Sequence, residues 1–279
     1  MKLSIITSGK NDNYAGNFIQ RLQHNLIKLD DNINKLNTND IEVIVVDWGS
    51  EEKISDVLSN INFKHINFLY VPEDIGKQYS PDSNFSIVHS LNAGFRRSKG
   101  DYIFFIDGDS YVPFNSLKTI FDLVKDKNEN IFYWASRYHL PYNIHSQTSN
   151  INDIDREIDV WEQNHKQSWK HDKINLSRFD GRAMGLLLSR NICDESSCFY
   201  EKLNKWGWLD IEIHNRIISK YKCWGDLEDL NIAFFHLDHH SVASMGQNGM
   251  NDAHNSHLFT SNDSSWGLIN ENLTLYKNK

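Results

Sequence analysis

The stretch Lys99-Gly100-Asp101-Tyr102-Ile103-Phe104-Phe105-Ile106-Asp107-Gly108-Asp109-Ser110 decides how the rest of the chain is read. Five consecutive apolar residues lie between a Gly-Asp turn and an acidic turn, as expected of a strand buried on both faces. Such a strand belongs in a sheet with helices on each side. Working outward, the same texture recurs at residues 3–7, closed by Ser8-Gly9-Lys10-Asn11-Asp12, and at residues 41–46, closed by Asp47-Trp48-Gly49-Ser50. Residues 66–71 supply a further run. Residues 18–36 carry apolar side chains at helical spacing (Phe18, Leu22, Leu26, Leu29, Ile33, Leu36), and helices are expected over 51–59, 83–98 and 115–125. Strands alternating with helices predict a doubly wound, Rossmann-like α/β unit over residues 1–125, its central sheet mostly parallel and covered by helices on both faces.

Beyond residue 125 a strand is expected at 130–136, and then the texture changes. Residues 138–180 are polar and rich in Asn, His and Trp, with helical periodicity only over 153–165, so they predict a long insertion or lid. Order returns with a strand at 182–189, a helix at 208–221 and a strand at 231–235. Residues 126–240 are therefore expected to complete the same domain. Residues 241–279 form a tail, with a mobile loop expected near 245–255 that closes the site.

Composition narrows the functions. The 279 residues are 39% hydrophobic and 24% charged, as in an ordinary folded domain. The net charge of −8, with no Lys/Arg run longer than a pair, argues against nucleic acid as a partner, because phosphate-tracking surfaces need concentrated positive charge. Trp161, Trp169, Trp206, Trp208 and Trp266 lie in polar surroundings, which suits sugars or nucleobases as well as ordinary packing. The opening apolar stretch is too short for a secretory signal, and no run reaches membrane-spanning length. Cys193, Cys198 and Cys223 lack zinc-type spacing. A reducing, cytoplasmic setting is expected, with membrane contact at most peripheral.

In open α/β sheets, ligands bind beyond the carboxyl ends of the strands. Residues 8–13, 47–50 and 107–110 all fall there and should converge on one crevice. Asp107 and Asp109 around a glycine can ligate a hard cation and leave positions free for phosphate oxygens. A solvated Asp-Gly turn is the plainer alternative.

These segments carry a resemblance. Ser4-Ile5-Ile6-Thr7, Glu42-Val43-Ile44-Val45-Val46-Asp47-Trp48-Gly49-Ser50, Asn92-Ala93-Gly94 and the run from Lys99 to Asp109 resemble, in order and spacing, the amino-terminal signatures of family 2 glycosyltransferases of the GT-A fold. The resemblance implies a nucleotide-sugar-binding half at 1–125 and an acceptor-binding, catalytic half at 126–240. It further implies that Asp47 contacts the nucleobase, that Asp107 and Asp109 bind ribose and a diphosphate-bound metal, and that Thr7, Asn92 and Arg182 also face the nucleotide. Lys99-Gly100-Asp101 is read as a structural turn. Gly181 and Gly185 fit a close approach to the donor sugar, and Arg182 suits its diphosphate.

Lys205-Trp206-Gly207-Trp208-Leu209-Asp210-Ile211-Glu212 is similar to the Trp-Gly-x-Glu-Asp segment of galactosyltransferase-type carboxyl-terminal regions, with Leu209 where glutamate is usual. That similarity implies Asp210 as the general base for the acceptor hydroxyl, with Glu212 as the fallback. Asp210 as a dipole-stabilised helix start is the alternative. In His236-Leu237-Asp238-His239-His240 the resemblance implies a histidine completing the metal site, His236 first and His239 second. Imidazole favours manganese, and magnesium also suits the carboxylates.

The expected activity is metal-dependent transfer of a sugar, UDP-linked by resemblance, to a glycan hydroxyl with inversion, as in a hexosyltransferase of polysaccharide synthesis. A retaining transferase on the same fold, a metal-dependent phosphoesterase and a non-catalytic sugar- or nucleotide-binding domain are the alternatives. A phosphoesterase needs further amino-terminal ligands that the first strand does not supply.

Overall fold

Four parallel strands form the centre of the sheet: β1 (Leu3–Gly9), β2 (Ile41–Trp48), β3 (Ile66–Val71) and β4 (Tyr102–Ile106), in spatial order β3-β2-β1-β4. The computed structural model describes residues 1–127, 129–135, 137–140, 153–156, 158, 160, 185–221, 224–232, 234–237, 251 and 261–278. Side chains alternate across each strand. Ile5, Val43, Val45 and Phe104 therefore pack with Leu22, Leu26 and Leu29 of helix α1 (Phe18–Leu36) and with Leu117 and Ile120 of α5 (Phe114–Val124). Ile6, Ile44, Val46 and Phe105 face the other way, onto Val88, Leu91 and Phe95 of α4 (Ile87–Arg97). Between these helices lie two short ones, α2 (Ile54–Val57) and α3 (Glu73–Tyr79). The second, which packs only Ile75 and Tyr79 against the core, is absent from the sequence expectations.

The later part of the chain extends the same sheet. Strand β8 (Gly185–Ser189) runs antiparallel beside β4, followed outward by β6 (Phe132–Trp134) and β9 (Trp224–Asp226). Because β4 and β8 pair over five residues, the described strands β8, β6 and β9 continue the sheet built by residues 1–125. Helices α6 (Arg190–Ser196) and α7 (Leu209–Lys220) pack on the α4 side through Ile192, Ile213 and Ile217. A second sheet of three strands joins β5 (Ser110–Tyr111), β10 (Phe234–Leu237) and β7 (Arg137–Leu140) in the order β5-β10-β7. The fold is mixed α/β of the GT-A type, with a large, mostly parallel sheet flanked by helices. Apart from residues 138–140, 153–156, 158 and 160, the expected insertion at 138–180 lies outside the described residues.

Residues 261–278 of the tail are bound to α4 and to the sheet edge. Trp266 stacks on Phe95 with ring centroids 5.6 Å apart, and the Arg96 guanidinium lies over its other face. Arg97 donates to the carbonyls of Gly267, Leu268 and Glu271 at 2.6, 2.7 and 3.0 Å. Strand β11 (Leu275–Tyr276) then pairs with β3 and covers an edge that would otherwise present unpaired backbone groups. Of the expected loop at 245–255, only Asn251 is described. Among the described residues no helix is long and apolar enough to cross a membrane.

Candidate active site

The Asp107-Gly108-Asp109 turn leads from β4 into β5 and is closed by the Ser110 N–H donating to the Asp107 carbonyl at 3.1 Å. It is held from the side by α1, which carries a polar stripe next to its apolar one. Arg21, Asn25, Lys28 and Asn32 recur at helical spacing and are all buried. Arg21 Nε donates to Asp109 Oδ2 at 3.2 Å, Asn25 Nδ2 to the Gly108 carbonyl at 3.2 Å, and Asn32 Nδ2 to the Val112 carbonyl at 2.9 Å. Lys28 pairs with Asp155, which also accepts from the Tyr111 hydroxyl. Close packing explains the glycine. A Cβ on Gly108 would lie 2.9 Å from the Phe18 ring, and one on Gly9 would lie 2.4 Å from the same ring. Phe18 thus fills the space between the end of β1 and the acidic turn.

Strand β10 completes the arrangement from 126 residues further along. It runs antiparallel to β5 with His236 opposite Ser110, and the Leu237 N–H donates to the Asp109 carbonyl at 3.0 Å. This register brings His236 Nε2 to 3.4 Å from Asp109 Oδ1, with both side chains buried. Two donors each about 2.1 Å from one ion lie about 3.0–3.4 Å apart at octahedral to tetrahedral angles, so the spacing fits a shared cation. The division of Asp109 is also informative. Oδ2 is on Arg21, while Oδ1 faces the imidazole. Asp107, only partly buried, lies two residues away. Among the described residues no group of three or more His, Cys, Asp and Glu side chains gathers as a complete metal cluster. The carboxylate and imidazole of Asp109 and His236 are donor types that suit a divalent ion. His239 and Arg182 lie outside the described residues.

Three residues expected to face the nucleotide lie inside the protein. Asp47 is fully buried: Oδ1 accepts from the Ser50 hydroxyl and N–H, and Oδ2 from the Ile54 N–H at 2.9 Å, at the start of α2. Burial pushes its carboxyl above the ordinary range, against the Ser50 and Ile54 bonds that pull it down. The Asn11 N–H in turn donates to Ser50 Oγ at 2.8 Å, joining the loops after β1 and β2. Asp47 therefore shapes the crevice floor, where it joins the loop after β2 to the start of α2. Thr7 is fully buried in β1, with no hydrogen-bond partner for Oγ1. Asn92 is also fully buried, with Nδ2 donating to the Phe199 carbonyl at 2.8 Å and to Glu201 Oε1 at 3.0 Å, while Oδ1 accepts from the Phe199 N–H. A Cβ on Gly94 would lie 2.7 Å from Ile6. Asn92-Ala93-Gly94 thus marks where α4 lies on the sheet. Beside these strand ends, among the described residues, lies a recess bordered by Lys10, Trp48, Gly49, Glu73, Lys77 and Asn84.

On the third segment, Asp210 and Glu212 both lie in the first turn of α7, and their surroundings separate them. Glu212 is buried and held in a bidentate pair by Arg216, at 2.6 and 2.9 Å, while Arg216 also caps the carbonyls of Ser196 and Cys198. It is a structural ion pair, and the expectation of Glu212 as a fallback base is set aside. Asp210 is only partly buried. Before it, Gly207 and Trp208 both take left-handed backbone angles, φ 78° and 69°, so the chain turns sharply into the helix and leaves Trp206 44% exposed. Sequence reading missed Arg21, Asn25 and Asn32, although their spacing beside the apolar stripe was a usable signal. It also missed Asn251, for which no local signal exists.

Comparison with known proteins fits this geometry. No curated protein matches the chain in sequence. Among solved structures, Staphylococcus aureus TarS 1–349 in complex with UDP-GlcNAc superposes with a TM-score of 0.53 at 11% identity, covering 88% of this chain and 61% of that one. S. aureus TarS gives 0.51 at 13% identity, covering 85% of this chain and 37% of that one. The chain thus spans less than two thirds of these TarS chains. The catalytic domain of Drosophila beta1,4galactosyltransferase 7, in complex with xylobiose, gives 0.47 at 11% identity over 95% of this chain and 82% of that one. Residues 21–224, well over half of the chain, match the profile described as glycosyltransferase like family 2. The chain belongs to that glycosyltransferase family.

Proposed function

We propose that this protein transfers a sugar from a nucleoside diphosphate sugar, UDP-linked, to a hydroxyl of a glycan acceptor by a cation-assisted, inverting displacement. The observation that carries the reading is the 3.4 Å approach of His236 to Asp109 at the carboxyl end of the sheet, in a chain of this family. Asp109 and His236, with Asp107 beside them, would hold Mn2+ or Mg2+; Arg182 and His239 are further candidates for the diphosphate and the ion. Such an ion supplies charge stabilisation for the departing nucleoside diphosphate. Arg21 keeps Asp109 Oδ2 engaged, so that Oδ1 is the oxygen turned toward the ion. Asp107 would lean toward the ribose, and Lys10 at the recess beside Trp48 offers a cationic side chain to the nucleotide. UDP as carrier is supported by the TarS complex with UDP-GlcNAc.

The acceptor side is the Trp206–Asp210 segment. Asp210 takes the proton of the acceptor hydroxyl as its oxygen bonds to the anomeric carbon and the bond to the diphosphate breaks. The exposed face of Trp206 suits the apolar face of a sugar ring. Incubation with Mn2+ and a set of nucleotide sugars, with free sugars and oligosaccharides as acceptors, should release nucleoside diphosphate. Asp210→Asn should lower that release by about 10²-fold or more while calorimetric binding of UDP with Mn2+ persists. Absence of release from every donor, together with hydrolysis of a phosphodiester, would sink the proposal.

A further inference from the structure

Asn251 is a polar side chain at 9% exposure that no part of the proposed chemistry uses, and it joins the segment carrying Asp210 from more than forty positions away. Its backbone N–H donates to the Trp206 carbonyl at 2.9 Å. Its Oδ1 accepts from the Lys205 N–H at 3.0 Å. Its Nδ2 donates to the carbonyls of Lys205 and Gly207 at 2.8 and 2.7 Å, and more weakly to Leu203 at 3.3 Å. One residue thus binds the main chain of Leu203, Lys205, Trp206 and Gly207, none of which lies in a helix and of which only Trp206 takes part in a single β-bridge. Buried backbone groups without such partners are strongly disfavoured. The segment also needs holding, since Trp208 occupies a left-handed conformation that a tryptophan rarely adopts. Two residues later comes Asp210.

We propose that Asn251 is a positioning residue: it clamps the 203–208 loop so that Trp206 and Asp210 are presented to the acceptor, coupling the carboxyl-terminal part of the chain to the catalytic turn. The inference rests on Asp210 being the base. Only an amide supplies both the donors and the acceptor that this loop requires, which accounts for asparagine here. Aspartate keeps the Oδ1 acceptor but loses both N–H donors, and it places a charge against three carbonyls.

The test uses the full chain and three variants: Asn251→Ala, Asn251→Ser and Asp210→Asn. With UDP-GlcNAc and Mn2+, and water or an oligosaccharide as acceptor, Asn251→Ala should lower kcat about 10²-fold, the size of a misplaced catalytic group. The donor KM and the calorimetric affinity for UDP should stay within about threefold, the KM-against-kcat split a positioning role demands. Asn251→Ser, which keeps one hydroxyl, should fall between. Hydrogen exchange provides a readout independent of turnover. Peptides covering 203–212 should exchange faster in Asn251→Ala, while those covering 47–54 and 107–111 should not change. Equal loosening of all three regions, unchanged exchange at 203–212, or unchanged kcat in a protein whose Asp210→Asn variant is inactive would overturn the clamp. An active Asp210→Asn variant would instead overturn the assignment of the base, and the exchange data would still decide whether the clamp exists.

Discussion

Asp47-Trp48-Gly49-Ser50 and Asp107-Gly108-Asp109-Ser110 look like two copies of one device: an apolar parallel strand, an aspartate, a glycine and a serine. Their environments differ in what surrounds the carboxylate. Asp47 engages both oxygens with its own loop and with the first amide of α2, so it organises the turn. Asp109 is reached instead by side chains from α1 and β10, elements that lie 88 positions before it and 127 after it. A carboxylate satisfied locally builds structure, whereas one satisfied by distant, titratable or exchangeable partners can be reassigned to an ion. Strand-end acidity alone does not separate the two cases.

The largest effect should appear when both aspartates receive the same substitution. Asp109→Asn should abolish metal-dependent UDP binding and reduce nucleoside diphosphate release by about 10²–10³-fold, comparable to loss of a main electrostatic group. Asp47→Asn should retain Mn2+-dependent binding and lose about 1–2 kcal/mol of stability, because the amide sets a donor against the Ile54 N–H. Calorimetry with UDP and Mn2+, paired with thermal melts, reads both. Metal affinity falling equally in the two variants would erase the distinction.

Arg21 sharpens the contrast. Arg21→Met leaves Asp109 buried without its guanidinium, which should cost about 3–5 kcal/mol and show as a clear drop in melting temperature. If Oδ1 and the imidazole accept an ion, added Mn2+ should recover more of the melting temperature in Arg21→Met than it adds to the unmodified protein. Recovery equal to that of the unmodified protein would mean the ion does not use Asp109.

The smallest effect concerns the packing behind Asp47. His89 on α4 lies against Trp48, with Nδ1 2.8 Å from the Ser86 hydroxyl and Nε2 3.7 Å from Glu201. Burial lowers its imidazole to about 4, so it is neutral at pH 7. Unfolded chains protonate histidine near 6.5. As the pH falls from about 6.5 to about 4, the unfolded state therefore takes up the proton first and stability declines, by about 2 kcal/mol at pH 5. Glu201, whose carboxyl burial pushes up, acts in the opposite sense. Denaturation of His89→Gln beside the unmodified protein at pH 7 and pH 5 isolates the histidine contribution; the difference between the two proteins should narrow or reverse at the lower pH. An unchanged difference would show that His89 does not titrate on unfolding.

Several readings survive because their physics is local. An apolar run such as residues 102–106 can only be a doubly buried strand, and polar clusters closing such strands must lie at their carboxyl ends. Lys99-Gly100-Asp101 is tight for a similarly local reason: a Cβ on Gly100 would lie 2.5 Å from the Ser4 nitrogen. The apolar stripe of α1 was equally legible and the spacing of its polar stripe was visible, but what Arg21, Asn25 and Asn32 hold was not, since they look solvated until the 108–112 segment is laid over them. The docking of residues 261–278 was not legible, because Trp266, Arg96 and Arg97 acquire meaning only against one another, across 170 positions. Glu212 and Asp210 are likewise indistinguishable as letters; Arg216 draws Glu212 into a buried pair, while Asp210 in the same helical turn is partly buried.

By itself, the sequence determined the alternating α/β order, the parallel strands, the strand-end position of the acidic turns and the family. These follow from periodicity and from short motifs in which neighbouring residues make the decisive contacts. The tertiary structure alone decided that Asp109 meets His236 and Arg21 while Asp47, Thr7 and Asn92 are sealed in the interior, and that Asn251 holds the turn before Asp210. Each of these depends on the register of β10 against β5 or on the docking of distant segments, and a hydrogen bond over 3 Å leaves no trace in the spacing of residues that lie scores of positions apart.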